Sequence, residues 1–200
     1  MTEEWFLLLR SRVLADLDKR LNPLLTYHDR AHTEDVLFHC ERIAISEMIT
    51  DARSLMLLKI AALFHDTGFI DTYQNHEERS CEIMRAEMMT SDLRNNEIQQ
   101  VEELIMATKM PQSPSGALQR VLCDADLDYL GRDDFKVINK RLKQELLSVG
   151  IIKKEEEWHE LQLRFLENHR YFTRSSVQMR TPKKLQHLES LRELVQKRAD

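Results

Sequence analysis

One stretch of this sequence joins a histidine and an aspartate, residue types that can bind a metal ion, to a strongly apolar segment. His65 and Asp66 directly follow the run 55–64, whose composition predicts a buried helix rather than a solvated one. A carboxylate in the protein interior costs several kcal/mol unless it is compensated. A divalent cation shared with His65 would compensate Asp66. The local alternative is that Asp66 caps the following turn while His65 bonds to a backbone carbonyl.

Two further histidines are spaced so that they face the same way. His28 and His32 are four residues apart, and on one helix they would share a face. We therefore predict that His32 is a ligand and that His28 projects into the same cavity, with Tyr27 placed to orient either ring and to contact substrate. His76, at the start of a later predicted helix, is an additional candidate ligand. The alternative for each is an ordinary surface or capping histidine.

A third stretch carries acids at alternate positions, Asp124, Asp126 and Asp128. It is not a calcium-binding EF-hand loop, because no Gly follows at the sixth position and no Glu at the twelfth. Its apolar residues form a helical stripe: Val121, Leu122, Leu127 and Leu130. An acid held on that face would be buried, and we predict that Asp124 is the one. The alternative is a solvated acidic face carrying all three.

Imidazole and carboxylate ligands from separate helices can converge in the core of a helical bundle. Such a set suits Mn²⁺, Mg²⁺, Fe, Ni²⁺ or Zn²⁺, and the sequence does not select among them. No cysteine belongs to the predicted set, which argues against a structural zinc site. The prediction is thus a divalent metal ion of undetermined identity.

Composition limits the fold and the class of partner. The chain has 200 residues with only four Gly and four Pro, which predicts an all-α protein. Its net charge of −5 argues against a nucleic-acid polymer as partner. Three separated cysteines without a CxxC pattern predict reduced thiols. With no signal-like N-terminus and no apolar run near the roughly 20 residues that span a bilayer, we expect a cytoplasmic protein without a membrane partner.

The predicted helices suggest a main unit and an appendage. Residues 1–150 would form the metal-binding helical domain, and 151–200 would form a C-terminal helical extension packed on the same domain. The segment 108–116 contains two of the four prolines and is the clearest loop. Pro182 suits the first turn of the last helix.

The order of the candidate ligands resembles a known family. His32, then His65-Asp66, then Asp124 is similar to the H…HD…D pattern of the HD-domain superfamily of metal-dependent phosphohydrolases. The resemblance covers roughly 25–131. It implies an all-α, HD-domain-like helical bundle and a metal ion bound by these four residues.

Three local stretches extend the resemblance. Tyr27–Val36 is similar to the Tyr-His-Asn…His…Asp-Val stretch of cyclic nucleotide phosphodiesterases. Phe64–Gly68 resembles the His-Asp-Ile-Gly segment of the superfamily. Asn75–Ser80 resembles the segment of small stand-alone bacterial HD proteins that supplies a further histidine, which here would be His76.

The implied activity is hydrolysis of a small phosphorylated substrate, with a nucleotide expected, by a metal-activated water attacking phosphorus. Asp66 would orient the nucleophile. His28 is the candidate acid for the leaving oxygen, because imidazole titrates near neutrality. Lys109, in the proline-rich loop, and Arg170, in the basic aromatic stretch 169–174, are candidate phosphate contacts. The alternatives are a solvated lysine and an ordinary helix end.

One departure from the family pattern leaves other functions open. Some relatives carry another histidine where this sequence has Lys109-Met110. A complete second metal site is therefore not expected, although His76 could serve a partial one. The absence of this additional histidine favours a regulatory module that binds metal and nucleotide without turnover. A di-iron oxygenase, which needs six ligands, is a weaker alternative, and a homodimer stays open.

Overall fold

The computed structural model describes residues 1–199, and the prediction of an all-α protein is confirmed over that range, which contains no strand. The helices are α1 (Glu3–Arg20), α2 (Arg30–Ser46), α3 (Ala52–Phe64), α4 (His76–Met88), α5 (Asn95–Ala107), α6 (Ala117–Asp126), α7 (Phe135–Ser148), α8 (Glu155–Asn168) and α9 (Arg174–Ala199), with 3₁₀ turns at Thr67–Ile70 and Asp128–Gly131. None of the helices within these residues has the length and apolarity needed to cross a bilayer.

Helix α3 forms the centre of the larger core. Residues 56–64 are all buried, which confirms the predicted buried helix. It packs against α2 and α5, and more lightly against α1. Because its whole circumference is covered, the residues directly after its C-terminal end, His65 and Asp66, are delivered into the protein interior.

The start of α2 is fixed by a side-chain cap. The Asp29 carboxylate accepts a hydrogen bond from the backbone N–H of His32 at 3.0 Å. Such a cap satisfies one of the free N–H groups in the first helical turn. The guanidinium of Arg141, on α7, holds the same carboxylate at 2.5 Å. His32 is therefore presented from a first turn that is anchored on two sides.

The C-terminal residues join a second apolar cluster with earlier parts of the chain. The cluster contains Leu166, Leu188 and Leu191 together with residues from 127–135 and with Tyr27. Helix α9 lies so close to the turn at Asp128–Gly131 that a Cβ on Gly131 would stand 2.3 Å from the carbonyl oxygen of Arg180. These contacts fit the predicted extension that packs on the same domain, and the boundary at residue 150 stays a prediction.

The prediction for Pro182 is wrong. Pro182 lies inside α9, which begins eight residues earlier at Arg174. The start is set by Thr173, whose hydroxyl oxygen accepts a hydrogen bond from the backbone N–H of Ser176 at 3.2 Å. A capping side chain thus begins this helix upstream of the proline.

Candidate metal centre

Four side chains from three parts of the fold converge on one buried point. The Nε2 atom of His32 lies 3.3 Å from Nε2 of His65, 3.3 Å from Oδ2 of Asp66 and 3.3 Å from Oδ1 of Asp126. The His65 Nε2 atom lies 3.3 Å from the same oxygen of Asp66 and 3.6 Å from that of Asp126. His32, His65 and Asp66 form a buried group that could hold a metal ion.

The orientation of His65 is fixed by the helix that precedes it. Its Nδ1 atom lies 2.9 Å from the carbonyl oxygen of Ala62, so Nδ1 carries the proton and donates it there. In the neutral ring, Nε2 then presents its lone pair toward His32, Asp66 and Asp126. A backbone carbonyl that sets the tautomer of a histidine in this way is typical of metal ligands. The bond from His65 to a backbone carbonyl, given above as an alternative to metal binding, therefore exists. It still leaves Nε2 available to a metal ion.

The carboxylate of Asp66 lacks a normal partner. Its Oδ2 atom is inaccessible to solvent and has no hydrogen bond of acceptable geometry. Burial by itself would raise the pKa of Asp66, but the positive charge of His65 and the contact with His32 outweigh burial and hold that pKa well below its usual value. The anion requires positive charge beside it.

The pKa of His32 is shifted in the opposite direction to that of Asp66. Burial would lower the pKa of His32, but the carboxylates of Asp126 and Asp66 overcome that effect and raise the pKa to about 9. The carboxylates of Asp66 and Asp126 thus favour a positive charge near the Nε2 atoms of the two histidines. A proton on a histidine can supply that charge, and so can a metal ion.

The spacing of the ligand atoms of His32, His65 and Asp66 fits one metal ion. Ligand atoms that bind one ion at about 2.0–2.2 Å are themselves about 3.3–3.6 Å apart in tetrahedral geometry, and neighbours in octahedral geometry are about 2.8–3.1 Å apart. The three separations within this group are each 3.3 Å, which matches tetrahedral geometry. Asp126 lies 3.3 and 3.6 Å from the two histidines but is not part of this mutually close group. Two imidazoles and two carboxylates suit a borderline or hard divalent cation.

The prediction that Asp124 is a ligand is corrected by the structure, which turns this residue away from the histidines. Its Oδ1 accepts a hydrogen bond from the backbone N–H of Phe172 at 2.8 Å. Its Oδ2 accepts from the backbone N–H and the hydroxyl of Thr173 at 2.8 and 2.6 Å. Burial raises the pKa of Asp124 against the effect of these donors.

Helical geometry explains why Asp126 takes that place. Residues two apart on a helix point in nearly opposite directions, so Asp124 and Asp126 cannot both face the histidines. Asp128 differs again, since its buried carboxylate pairs with the guanidinium groups of Arg42 at 2.8 Å and Arg180 at 2.9 Å. The three acids therefore serve three separate contacts.

His76 approaches the other oxygen of Asp66. Its Nε2 lies 3.5 Å from Asp66 Oδ1 and 3.5 Å from Glu77 Oε1. The phenyl ring of Phe69 stacks on the His76 ring and on the His28 ring, with centroids 3.8 and 4.3 Å apart. The centroids of the two imidazoles are 6.4 Å apart. His76 is therefore near enough to Asp66 to share a second ion with it, as the sequence suggested, and its ring also lies close to that of His28.

A cavity of about 240 Å³ adjoins this candidate metal site. Its lining includes Asp66, Asp126, His76, His28 and Tyr27. His32 and His65 do not line it. The structure thus places Tyr27, predicted to contact substrate, and His28, predicted to act as an acid, at the cavity.

His28 has a partner that the sequence analysis missed. Its Nδ1 pairs with the carboxylate of Glu145, a fully buried residue of α7. The other Glu145 oxygen accepts from the backbone N–H groups of Tyr27 at 2.8 Å and His28 at 3.0 Å. Burial would raise the pKa of Glu145, but the contact with His28 lowers it. An acid between the apolar Leu142 and Leu146 is the signal that could have found this residue.

Neither predicted phosphate contact lines this cavity. The Lys109 amine binds the carboxylate of Glu78, and it lies 3.2 Å from Oδ1 of Asn75. The Arg170 side chain is exposed and also lies outside the cavity lining. Both positions agree with the plainer alternatives given for them, a solvated lysine and a basic helix end.

Comparison with known proteins finds no family model and no curated protein that matches this chain. The geometry of the site is therefore the basis for assigning a function.

Proposed function

We propose that this protein is a metal-dependent phosphohydrolase of the HD-domain type, acting on a small phosphorylated molecule. The observation that carries the proposal is the convergence of His32, His65 and Asp66 beside a cavity that Asp66 lines. Asp126 lines the same cavity and lies 3.3 Å from His32. The ordered motif resemblance supports it, with Asp126 in the place first given to Asp124. That resemblance favours a nucleotide as substrate, whereas the size and apolar lining of the cavity favour a smaller and less polar molecule.

A bound divalent ion would polarise the phosphoryl oxygen and lower the pKa of a water molecule. In hydrolysis the water oxygen forms a bond to phosphorus while the ester oxygen leaves with the electrons of its bond. The leaving oxygen needs a proton, and His28 is the group placed at the cavity to donate it. Glu145 holds the ring of His28 by Nδ1, which leaves Nε2 for that transfer.

The experiment is phosphate release by the purified chain, stripped with a chelator and reloaded with Mn²⁺, on a panel of phosphomonoesters, phosphodiesters and nucleotides. We expect turnover that requires the metal. Asp126→Asn and His28→Gln should each lower kcat/KM by about 100-fold or more, the range of a lost ligand or acid. Asp92→Asn, at an exposed acid outside the cavity, is the matched control. Equal activity in stripped protein or in Asp126→Asn would contradict the proposal.

Two further measurements, nucleotide binding and oxygen consumption, separate the two alternatives from the proposed function. A regulatory module would bind metal and a nucleotide tightly without releasing phosphate. A di-iron oxygenase would consume oxygen when loaded with iron, and it needs a second full ligand set. At the position where some relatives carry a histidine for that set, Lys109 pairs with Glu78. The phosphohydrolase therefore remains the better proposal.

A further inference from the structure

Much of the remaining lining of the cavity is apolar. It includes the side chains of Leu127, Leu130, Leu142, Leu146, Trp158 and Phe165. Trp158 and Leu146 are buried, and Phe165 is half-buried. A wall of this kind excludes water and gains free energy when an apolar ligand group covers it. The organic part of the ligand, rather than its phosphate, would lie here.

The charges at the cavity limit how much phosphate it can hold. None of its lining residues in the described chain is Lys or Arg. Proteins that bind di- and triphosphates usually supply such residues or a helix N-terminus for each phosphate. Here Asp66, Asp126 and Glu77 line the cavity as well, and they would repel any phosphate beyond the one that a metal ion can neutralise.

One polar pair interrupts the apolar wall. The side-chain amides of Asn139 and Gln162 bond to each other, and both line the cavity. Each amide has two N–H donors and an oxygen with two lone pairs, so after their mutual bond the pair still offers three N–H groups and three lone pairs. The cavity volume of about 240 Å³ leaves room for only a small organic group.

Resting on the proposed phosphohydrolase function, we infer that the substrate is a phosphomonoester of a small, largely apolar organic group. Hydrogen-bonding atoms of that group would meet Asn139 and Gln162. Water forms the new bond to phosphorus, and the products are inorganic phosphate and the free hydroxyl compound. Diphosphates, triphosphates and phosphorylated polyols are excluded by charge and by the apolar wall.

Trp158 allows ligand binding to be measured without turnover. The chain has two tryptophans, and Trp5→Phe leaves Trp158 as the sole reporter in the cavity. The Mn²⁺-loaded variant is titrated with benzylphosphonate, methylphosphonate and pyrophosphate. The two phosphonates have no bond that it could hydrolyse, and the pyrophosphate titration is checked for release of phosphate. Benzylphosphonate should change Trp158 emission and bind at least 10-fold more tightly than the other two. Equal or tighter binding of methylphosphonate or pyrophosphate would overturn the inference.

A rim substitution tests the charge argument. Leu161 lines the cavity and is 36% exposed, so Leu161→Lys adds a cation there without burying it. The preference for benzylphosphonate over pyrophosphate should shrink by at least 5-fold. Leu185→Lys, at a 53% exposed leucine of α9 outside the cavity, should leave the preference unchanged. An unchanged preference in Leu161→Lys would count against the inference.

The binding and turnover results separate this inference from the proposed function. Selective binding of benzylphosphonate without turnover of any phosphoester would refute the phosphohydrolase and keep the ligand class. Turnover that favours polyol phosphates or triphosphates over aryl phosphates would keep the phosphohydrolase and refute the ligand class.

Discussion

Asparagine substitutions at Asp124 and Asp126 should change different properties of the protein, although the two residues are only two positions apart on α6. The first should lower stability, and the second should weaken metal binding. The Asp124 carboxylate accepts three hydrogen bonds from Phe172 and Thr173. Asparagine keeps one acceptor oxygen and places an NH₂ group against a donor. It would keep the two bonds from Thr173 and lose the one from the Phe172 N–H.

The cost of Asp124→Asn follows from these contacts. A hydrogen bond to a charged acceptor is worth about 1.5–3 kcal/mol, and a neutral acceptor weakens the remaining bonds. Burial raises the pKa of Asp124, which means that its charge is costly in the interior. Removing that charge offsets part of the loss. We expect a decrease of about 2 kcal/mol in the free energy of unfolding. For a chain of this length that lowers Tm by about 4–8 °C.

Asp126→Asn should affect metal binding instead. Its carboxylate faces His32 and His65. Without metal the variant should unfold within about 1 kcal/mol of the wild type. Loss of a charged ligand should weaken metal affinity by about 100-fold, equivalent to about 2.7 kcal/mol.

Calorimetry with chelator and with saturating Mn²⁺ checks both substitutions. Metal at about 100 times its Kd stabilises the wild type by about 2.7 kcal/mol. Asp124→Asn should start from a lower Tm and show the full metal-induced rise. Asp126→Asn should start near the wild-type Tm and show little rise. The reverse pattern, in which Asp124→Asn abolishes the rise and Asp126→Asn keeps it, would refute the assignment of these acids.

Three other results follow from the structure. A Cβ on Gly68 would lie 2.0 Å from the carbonyl oxygen of His76, so Gly68→Ala should cost about 2–3 kcal/mol in urea unfolding, whereas Gly116→Ala, with nothing within 4 Å, should cost little. An equal cost for both would contradict this. Burial and the charge of Lys184 lower the pKa of His169 to about 3, so the unfolded chain takes up the proton first and stability falls as pH drops from about 6.5 toward 3. The loss should be about 2 kcal/mol by pH 5, and His169→Gln should remove it; an unchanged acid slope in urea titrations would argue otherwise. Chelation should lower the Tm of the wild-type protein, and adding Mn²⁺ should raise the Tm with increasing concentration. A Tm that does not change with Mn²⁺ would contradict the proposed metal site.

Local patterns were sufficient for part of this site. The apolar run before His65 and Asp66 predicted a buried helix, because burial on all sides leaves a continuous hydrophobic signal. The four-residue spacing of His28 and His32 correctly suggested that the two rings lie near each other, at 5.8 Å between centroids. The prediction that both project into one cavity is wrong, because only His28 lines it and His28 precedes the N-cap of α2. These features depend on interactions within one segment.

Long-range partners decided the rest. The choice between Asp124 and Asp126 depends on Phe172 and Thr173, nearly fifty residues downstream. The position of Lys109 depends on Glu78 in α4. Periodicity places a residue on a face of its helix, but which group meets that face is set by the packing of distant segments.

The central claim is that His32, His65, Asp66 and Asp126 bind one metal ion. Anomalous diffraction from crystals loaded with Mn²⁺ tests it most directly. We expect an anomalous-difference peak about 2.0–2.2 Å from Nε2 of both histidines, Oδ2 of Asp66 and Oδ1 of Asp126. Bound manganese located elsewhere, with no density among these four atoms, would contradict it.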